Sequence, residues 1–276
     1  MQTRHMVDPF RYRRMTGEEL RQSFLVDDLF ATGEVRLLHW EAERTIIGSA
    51  SPTTGALALP NPPEIKAASF GERREIGIVN LGGPGVVTVD GAGHALGARD
   101  LLYVGRGSQE VTFASADAAS PSVFYFVSHP AHAQHPTSAA PVADAQTIPI
   151  GDTAHASERV LRRHIHEKGV RSCQLVMGVT DIKSGSVWNT LPPHTHVRRT
   201  EIYLYFDLPP DQMVVHLMGP PDDTRHLVVR NMQAVLSPPW SIHFGAGSTR
   251  YAFVWSMGGE NQEFEDMQVL SLSQLR

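Results

Sequence analysis

The chain opens with polar residues and then shows a single helical signature. Thr16-Gly-Glu-Glu19 has the spacing of a capping box, in which the Thr16 hydroxyl takes an orphan amide while Glu19 reaches back to the cap. Leu20, Phe24 and Leu25 follow at helical spacing, which predicts a short N-terminal helix over about 17–25. The pattern then changes to short apolar runs cut by glycine and proline. In the first half Val35–His39, Glu75–Val79, Gly85–Val89, Asp100–Val104, Gln109–Phe113 and Ser122–Val127 read as strands. In the second half the same is true of Cys173–Met177, Glu201–Tyr205, Met213–Met218, His226–Arg230, Gln233–Leu236 and Arg250–Trp255. Gly91–Gly97 resembles a nucleotide loop but leads into a strand, so it reads as a hairpin. This spacing of strands predicts an all-β sandwich or barrel.

The halves also echo one another. Glu75-Ile-Gly-Ile-Val79 answers Glu201-Ile-Tyr-Leu-Tyr205, and Val123–His129 answers Tyr251–Met257, as expected of a duplicated β-barrel. The stretch His129–Asp152, rich in Ala, Pro, His and Thr, is expected to be loop. It places a linker at 136–152 between an N-terminal half, 1–135, and a C-terminal half, 153–276.

Composition narrows the function classes. Of 276 residues, 41% are hydrophobic and 19% charged, enough apolar material for a real core. A net charge of −5 with scattered arginines lacks the basic face that nucleic acid requires. The single cysteine, Cys173, leaves no intrachain disulfide and no four-thiolate zinc site, and its apolar surroundings suggest a packing role. No run approaches the ~20 apolar residues of a membrane span. The segment Met1–Arg14 carries no apolar signal core, so a cytoplasmic location is expected.

The chemistry concentrates in Gly185–Glu201. In an extended strand, His194 and His196 share a face, and Glu201 opens the next strand with a carboxylate. A further imidazole, His243, follows the proline turn Ser237-Pro-Pro-Trp-Ser-Ile-His243. Three imidazoles and one carboxylate suit zinc, iron, manganese or nickel. Arg163-His164-Ile-His166 is a second His-x-His, but without its own glutamate and proline-turn histidine it reads as a surface or interface feature.

His-x-His-x4-Glu followed by Pro-x-x-x-x-His resembles the two motifs of the cupin superfamily, with Trp240 where glycine is common. Across Arg4–Arg276 the chain is similar to the 5-keto-4-deoxyuronate isomerases. The segments carrying that likeness are Gln174–Gly178, Gly185–Thr190, His194–Glu201, Ser237–His243 and Met257–Asn261. The resemblance implies a bicupin with one zinc per chain on His194, His196, Glu201 and His243. It also implies assembly as a homo-hexamer and a ketol-isomerase acting on a small sugar acid in pectin and uronate breakdown. The N-terminal half keeps Glu75 but has no His-x-His before it, so it is expected to be metal-free. Glu260 and Tyr203 are the candidate bases. Arg199 is the favoured partner for a substrate carboxylate, with Arg163 and Arg225 as further candidates. Two other readings fit the same four ligands: an iron-dependent dioxygenase and a non-catalytic sugar-binding cupin.

Overall fold

In the computed structural model, which describes residues 1–260 and 266–276, the period-2 pattern becomes strand almost everywhere it was expected. The capping box forms as read: Glu19 N–H donates to Thr16 Oγ1 at 3.2 Å and Thr16 N–H to Glu19 Oε2 at 2.7 Å, opening the helix Gly17–Phe24. A one-turn helix, Pro9–Tyr12, precedes it, capped by Asp8. Gly91 makes the expected hairpin. Asp90 and Gly91 both have positive φ, 49° and 84°, forming the two-residue turn that joins Val89 to its partner Ala92.

The strands form two sets of sheets with matching order. The first set has a seven-stranded sheet running Gln2–Arg4, Val35–Trp40, Thr45–Ala50, Phe124–Pro130, Arg74–Asn80, Leu101–Val104, Ser138–Ala140. Its four-stranded companion runs Leu57–Ala58, Val111–Ser115, Gly85–Val89, Ala92–Leu96. The second set repeats this arrangement. Its large sheet runs Gln146–Ile150, Arg159–Ile165, Val176–Ile182, Ala252–Gly259, Arg199–Phe206, Gln233–Ser237, Leu25–Val26. Its small sheet runs Trp188–Asn189, Ile242–Gly247, Val214–Gly219, Arg225–Val229. The fold class is the expected one, all-β with a duplicated barrel and a short N-terminal helix.

Three expectations about boundaries need correction. Two compact units emerge, but neither is a simple half: the first comprises 1–4, 28–146 and 163–177, the second 5–27, 147–162 and 178–276. The N-terminal helix therefore belongs to the second unit, where Leu25–Val26 pairs with Ala234–Val235. The supposed linker is structured as well. Ser138–Ala140 pairs antiparallel with Leu101–Tyr103, and Gln146–Ile150 is also strand. Edge strands satisfy only one side of the backbone, so they need no apolar alternation and left no mark in this Ala/Pro/Thr-rich stretch. Finally, the strand expected at Cys173–Met177 begins only at Val176. The amides of Cys173, Gln174 and Leu175 instead donate to the Glu75 carboxylate at 2.6–2.9 Å.

In the first unit the two sheets close on hydrocarbon. Ile76, Ile78, Phe124 and Phe126 from the large sheet pack against Val87, Val89 and Phe113 from the small one, with Phe113 stacked on Phe126 at 5.7 Å. No helix of the described residues is long and apolar enough to cross a membrane.

Candidate metal centre

The second unit has the same architecture with different contents. Along Arg199–Phe206, alternation sends Arg199, Glu201, Tyr203 and Tyr205 to one face. His243, on the facing small sheet, pairs with Met218. His194 and Thr195 form a short strand pinned to Gln268–Val269, with Thr195 Oγ1 donating to Gln268 Oε1 at 3.0 Å, and His196 follows directly, its ring 4.8 Å from that of His194. The two histidines therefore share a face, as the i, i+2 spacing predicts.

All four candidate ligands are buried, and one donor atom from each lies within 4.8 Å of the others. His243 Nε2 is 2.7 Å from Glu201 Oε2 and 3.1 Å from His194 Nε2; His196 Nε2 is 3.1 Å from Glu201 Oε2. Among the described residues this is the only group of three or more His, Cys, Asp or Glu that could hold an ion.

The donor set fits a divalent metal. Nδ1 of His194 faces the Pro192 carbonyl and Nδ1 of His243 the Ser241 carbonyl, each at 3.4 Å. A carbonyl only accepts, so the protons belong on Nδ1 and both Nε2 lone pairs point at one another. Two lone pairs at 3.1 Å repel unless a cation lies between them. Donor separations of 2.7–3.1 Å are also close to the edges of a coordination shell with bonds of about 2.0–2.1 Å.

Electrostatics point the same way. Burial would push the Glu201 carboxyl up, but the His243 and His196 imidazoles beside it prevail and hold it below its ordinary range. Burial, with His243 and His196 nearby, pushes the His194 imidazole down to about 3, so its ring is neutral and able to ligate at pH 7.

The remaining candidates separate clearly. Tyr203 lies at the cluster: its ring meets that of His243 edge-on at 5.4 Å, and its hydroxyl bonds Thr190 Oγ1 at 2.8 Å. Burial raises its phenol well above the ordinary range, so Tyr203 keeps its proton at neutral pH and suits donation, not abstraction. Glu260 is exposed and pairs with Arg198 at 3.3 Å. Arg199 is buried and already engaged: its Nη2 bonds Asp266 Oδ1 at 2.7 Å. Arg225 clamps the N-terminal segment, donating to the Tyr12 and Met15 carbonyls at 3.2 and 2.7 Å. Arg163 belongs to the first unit.

Several residues escaped the sequence reading. Asp266, held by Arg199 and Arg198, places its carboxylate 3.7 Å from His196 Nδ1, within ion-pair range of the ring but beyond hydrogen-bond distance. Nothing local marks it, since it approaches through the C-terminal tail. His216 was findable: it occupies an inward position within the apolar run Met213–Met218. Its Nδ1 lies 2.7 Å from the Tyr205 hydroxyl, and burial, with His243 nearby, pushes its imidazole down to about 3. Buried Arg159 donates to the Leu191 carbonyl at 2.8 Å, steadying the loop that leads into His194.

Comparison with known proteins places this site in context. The model of the KduI/IolB family matches residues 27–270. A protein of Kineococcus radiotolerans named 4-deoxy-L-threo-5-hexosulose-uronate ketol-isomerase is 50% identical, with both chains covered in full. One of the same name from Opitutus terrae is 49% identical, again over the whole of both chains. Among solved structures, an IolB-like protein of Salmonella typhimurium superposes with a TM-score of 0.70 at 13% identity, covering 90% of this chain and 96% of that one. A Lactobacillus farciminis oxalate decarboxylase gives 0.61 at 11% identity, covering 90% and 88%. At such identities the structural likeness speaks for the fold alone.

Proposed function

The chain belongs to the KduI/IolB family, and on that premise we propose that it is a metal-dependent ketol-isomerase acting on 4-deoxy-L-threo-5-hexosulose uronate (5-dehydro-4-deoxy-D-glucuronate). The product is 3-deoxy-D-glycero-2,5-hexodiulosonate. The observation carrying this reading, beside the relatives' names, is the convergence of His194, His196, Glu201 and His243 on one buried point.

The reaction balances within one molecule. The aldehyde carbon gains the hydrogen that its hydroxyl-bearing neighbour loses, and the hydroxyl proton is lost as the former carbonyl oxygen takes one up. No external oxidant or reductant is needed. A divalent ion held by the four ligands supplies Lewis-acid polarisation of the carbonyl and adjacent hydroxyl. The protein supplies the rest. Ionised Glu201 offsets the positive charge, and the carbonyls at Pro192 and Ser241 keep His194 and His243 in the ligating tautomer. Protonated Tyr203, steadied by Thr190, offers a hydrogen bond to a substrate oxygen. Neutral His216 and Tyr205 extend the polar lining behind it.

Among the metals this set of three imidazoles and one carboxylate accepts, we take zinc, one ion per chain, as the family resemblance implies. A homo-hexamer working in the cytoplasm on pectin-derived uronates follows from the same family resemblance. Elemental analysis of the purified protein, combined with an assay on the unsaturated-uronate breakdown product before and after chelation, tests the reading. About one zinc per chain with chelator-sensitive turnover is expected. Stoichiometric iron with oxygen consumption, or zinc without turnover, would overturn it.

A further inference from the structure

The second His-x-His, which the metal centre leaves unused, lines a cavity of about 420 Å³ within the first unit. One wall is the edge segment Ala139–Gln146; the other is the strand end and turn Arg163–Val170. The volume falls within the roughly 300–1,000 Å³ of ordinary small-molecule sites.

The turn holds its side chains in a defined arrangement. Gly169 N–H donates to the His166 carbonyl at 3.0 Å and His166 N–H to the Val170 carbonyl at 3.0 Å, closing a tight loop that carries Lys168. A Cβ on Gly169 would meet His166 Nε2 at 2.6 Å, so glycine there lets the imidazole lie against the backbone. His164 donates from Nδ1 to the Ala140 carbonyl at 2.8 Å, fixing its ring and tying the two walls together. The lining brings Arg163, Lys168 and two imidazoles together against a single acid, Asp144. His166 is buried, and that burial, with Arg163 nearby, keeps its imidazole below the ordinary range. An anion entering the cavity reverses that balance by favouring the protonated ring.

We propose that this cavity is a second binding site, separate from the metal centre, for a small anionic sugar whose acidic oxygens are taken by Lys168, Arg163 and His166. A carboxylate and a phosphate present the same oxygens to such a cradle. Gln146, on the opposite wall, adds a side-chain amide that can pair with a sugar hydroxyl.

Calorimetric titration of the full-length, metal-loaded protein with D-gluconate, glucose 6-phosphate and inorganic phosphate tests this. Saturable binding is expected with at least one of the three, and it survives in Glu201→Gln, where the metal centre is disabled. Gluconate binding without response to phosphate assigns a sugar acid; stronger binding of the two phosphates assigns a phosphorylated ligand. Lys168→Ala and Gly169→Ala should each weaken the interaction by about fivefold or more, and Asp144→Asn should tighten it by about threefold, through the change in local charge or ring position. Isomerase turnover of Lys168→Ala stays within about twofold of the parent, because the cluster in the second unit is untouched. No saturable binding with any probe, or affinities unchanged in both Lys168→Ala and Asp144→Asn, would overturn the proposal. The gain expected of Asp144→Asn guards against mistaking a folding defect for a lost site.

Discussion

The two barrels share a strand order and differ in what they enclose. In the first, the central strand Arg74–Asn80 turns Ile76 and Ile78 inward onto Phe113, Phe124 and Phe126. In the second, the corresponding strand Arg199–Phe206 turns Glu201, Tyr203 and Tyr205 inward toward His243 and His216. The sequence echo aligns Glu75 with Glu201, but the structure separates them by a face. Glu75 alternates with the core residue Ile76, so it points out of the barrel, where the amides of Cys173, Gln174 and Leu175 and the Tyr103 hydroxyl bind it. A one-residue offset reverses every side chain of a strand. The comparison teaches that a buried carboxylate is defined by what it meets. Glu201 meets imidazole nitrogens and can ligate; Glu75 meets four hydrogen-bond donors and serves as a structural staple.

Breaking the second barrel's chemistry should produce the largest effect. Glu201→Gln or His243→Ala should reduce turnover by about 10³-fold or more and strip the metal, read by elemental analysis and kinetics on the same sample. The matching change in the first barrel should do the reverse: Phe113→Ala should lower unfolding free energy by about 3–5 kcal/mol in urea while folded protein keeps its metal. Glu75→Gln should cost about 2–4 kcal/mol, because an amide nitrogen then faces a donor, again with metal content unchanged. Loss of metal in that variant would mean Glu75 is more than a staple.

A finer probe of the second barrel is Asp266→Asn. It removes the carboxylate facing His196 Nδ1 and should weaken metal affinity about 10–100-fold in a chelator competition, with the fold retained. The smallest effect is the acid response of the first barrel's sheet. Burial, with Arg74 nearby, pushes His129 down to about 3, so the folded form excludes a proton that the unfolded chain binds near pH 6.5. Its contribution is fully present above that value and is lost as pH falls toward 3. His129 should therefore make the protein about 2 kcal/mol less stable at pH 5 than at pH 8. Urea curves at the two pH values check this, and His129→Gln should remove that increment.

Much of this was legible along the chain. Alternating apolar residues determined the strands and hence an all-β fold, the Thr16–Glu19 spacing determined the helix, and the Asp90-Gly91 pair determined its hairpin. The convergence of the candidate ligands was legible too, because i, i+2 spacing sets His194 and His196 side by side and Glu201 lies in the adjoining strand. These are local relations, enforced by backbone sterics within a few residues. Only the tertiary structure decided that Glu75 faces away from the barrel core, that Arg199 is committed to Asp266, that Tyr203 keeps its proton, and that the helix before the first barrel belongs to the second unit. Those outcomes depend on partners that the fold brings in, from Thr190 for Tyr203 and Tyr103 for Glu75 to Asp266 for Arg199 and Val235 for Leu25. Burial and charge at such sites are set by packing, which no short window of sequence contains.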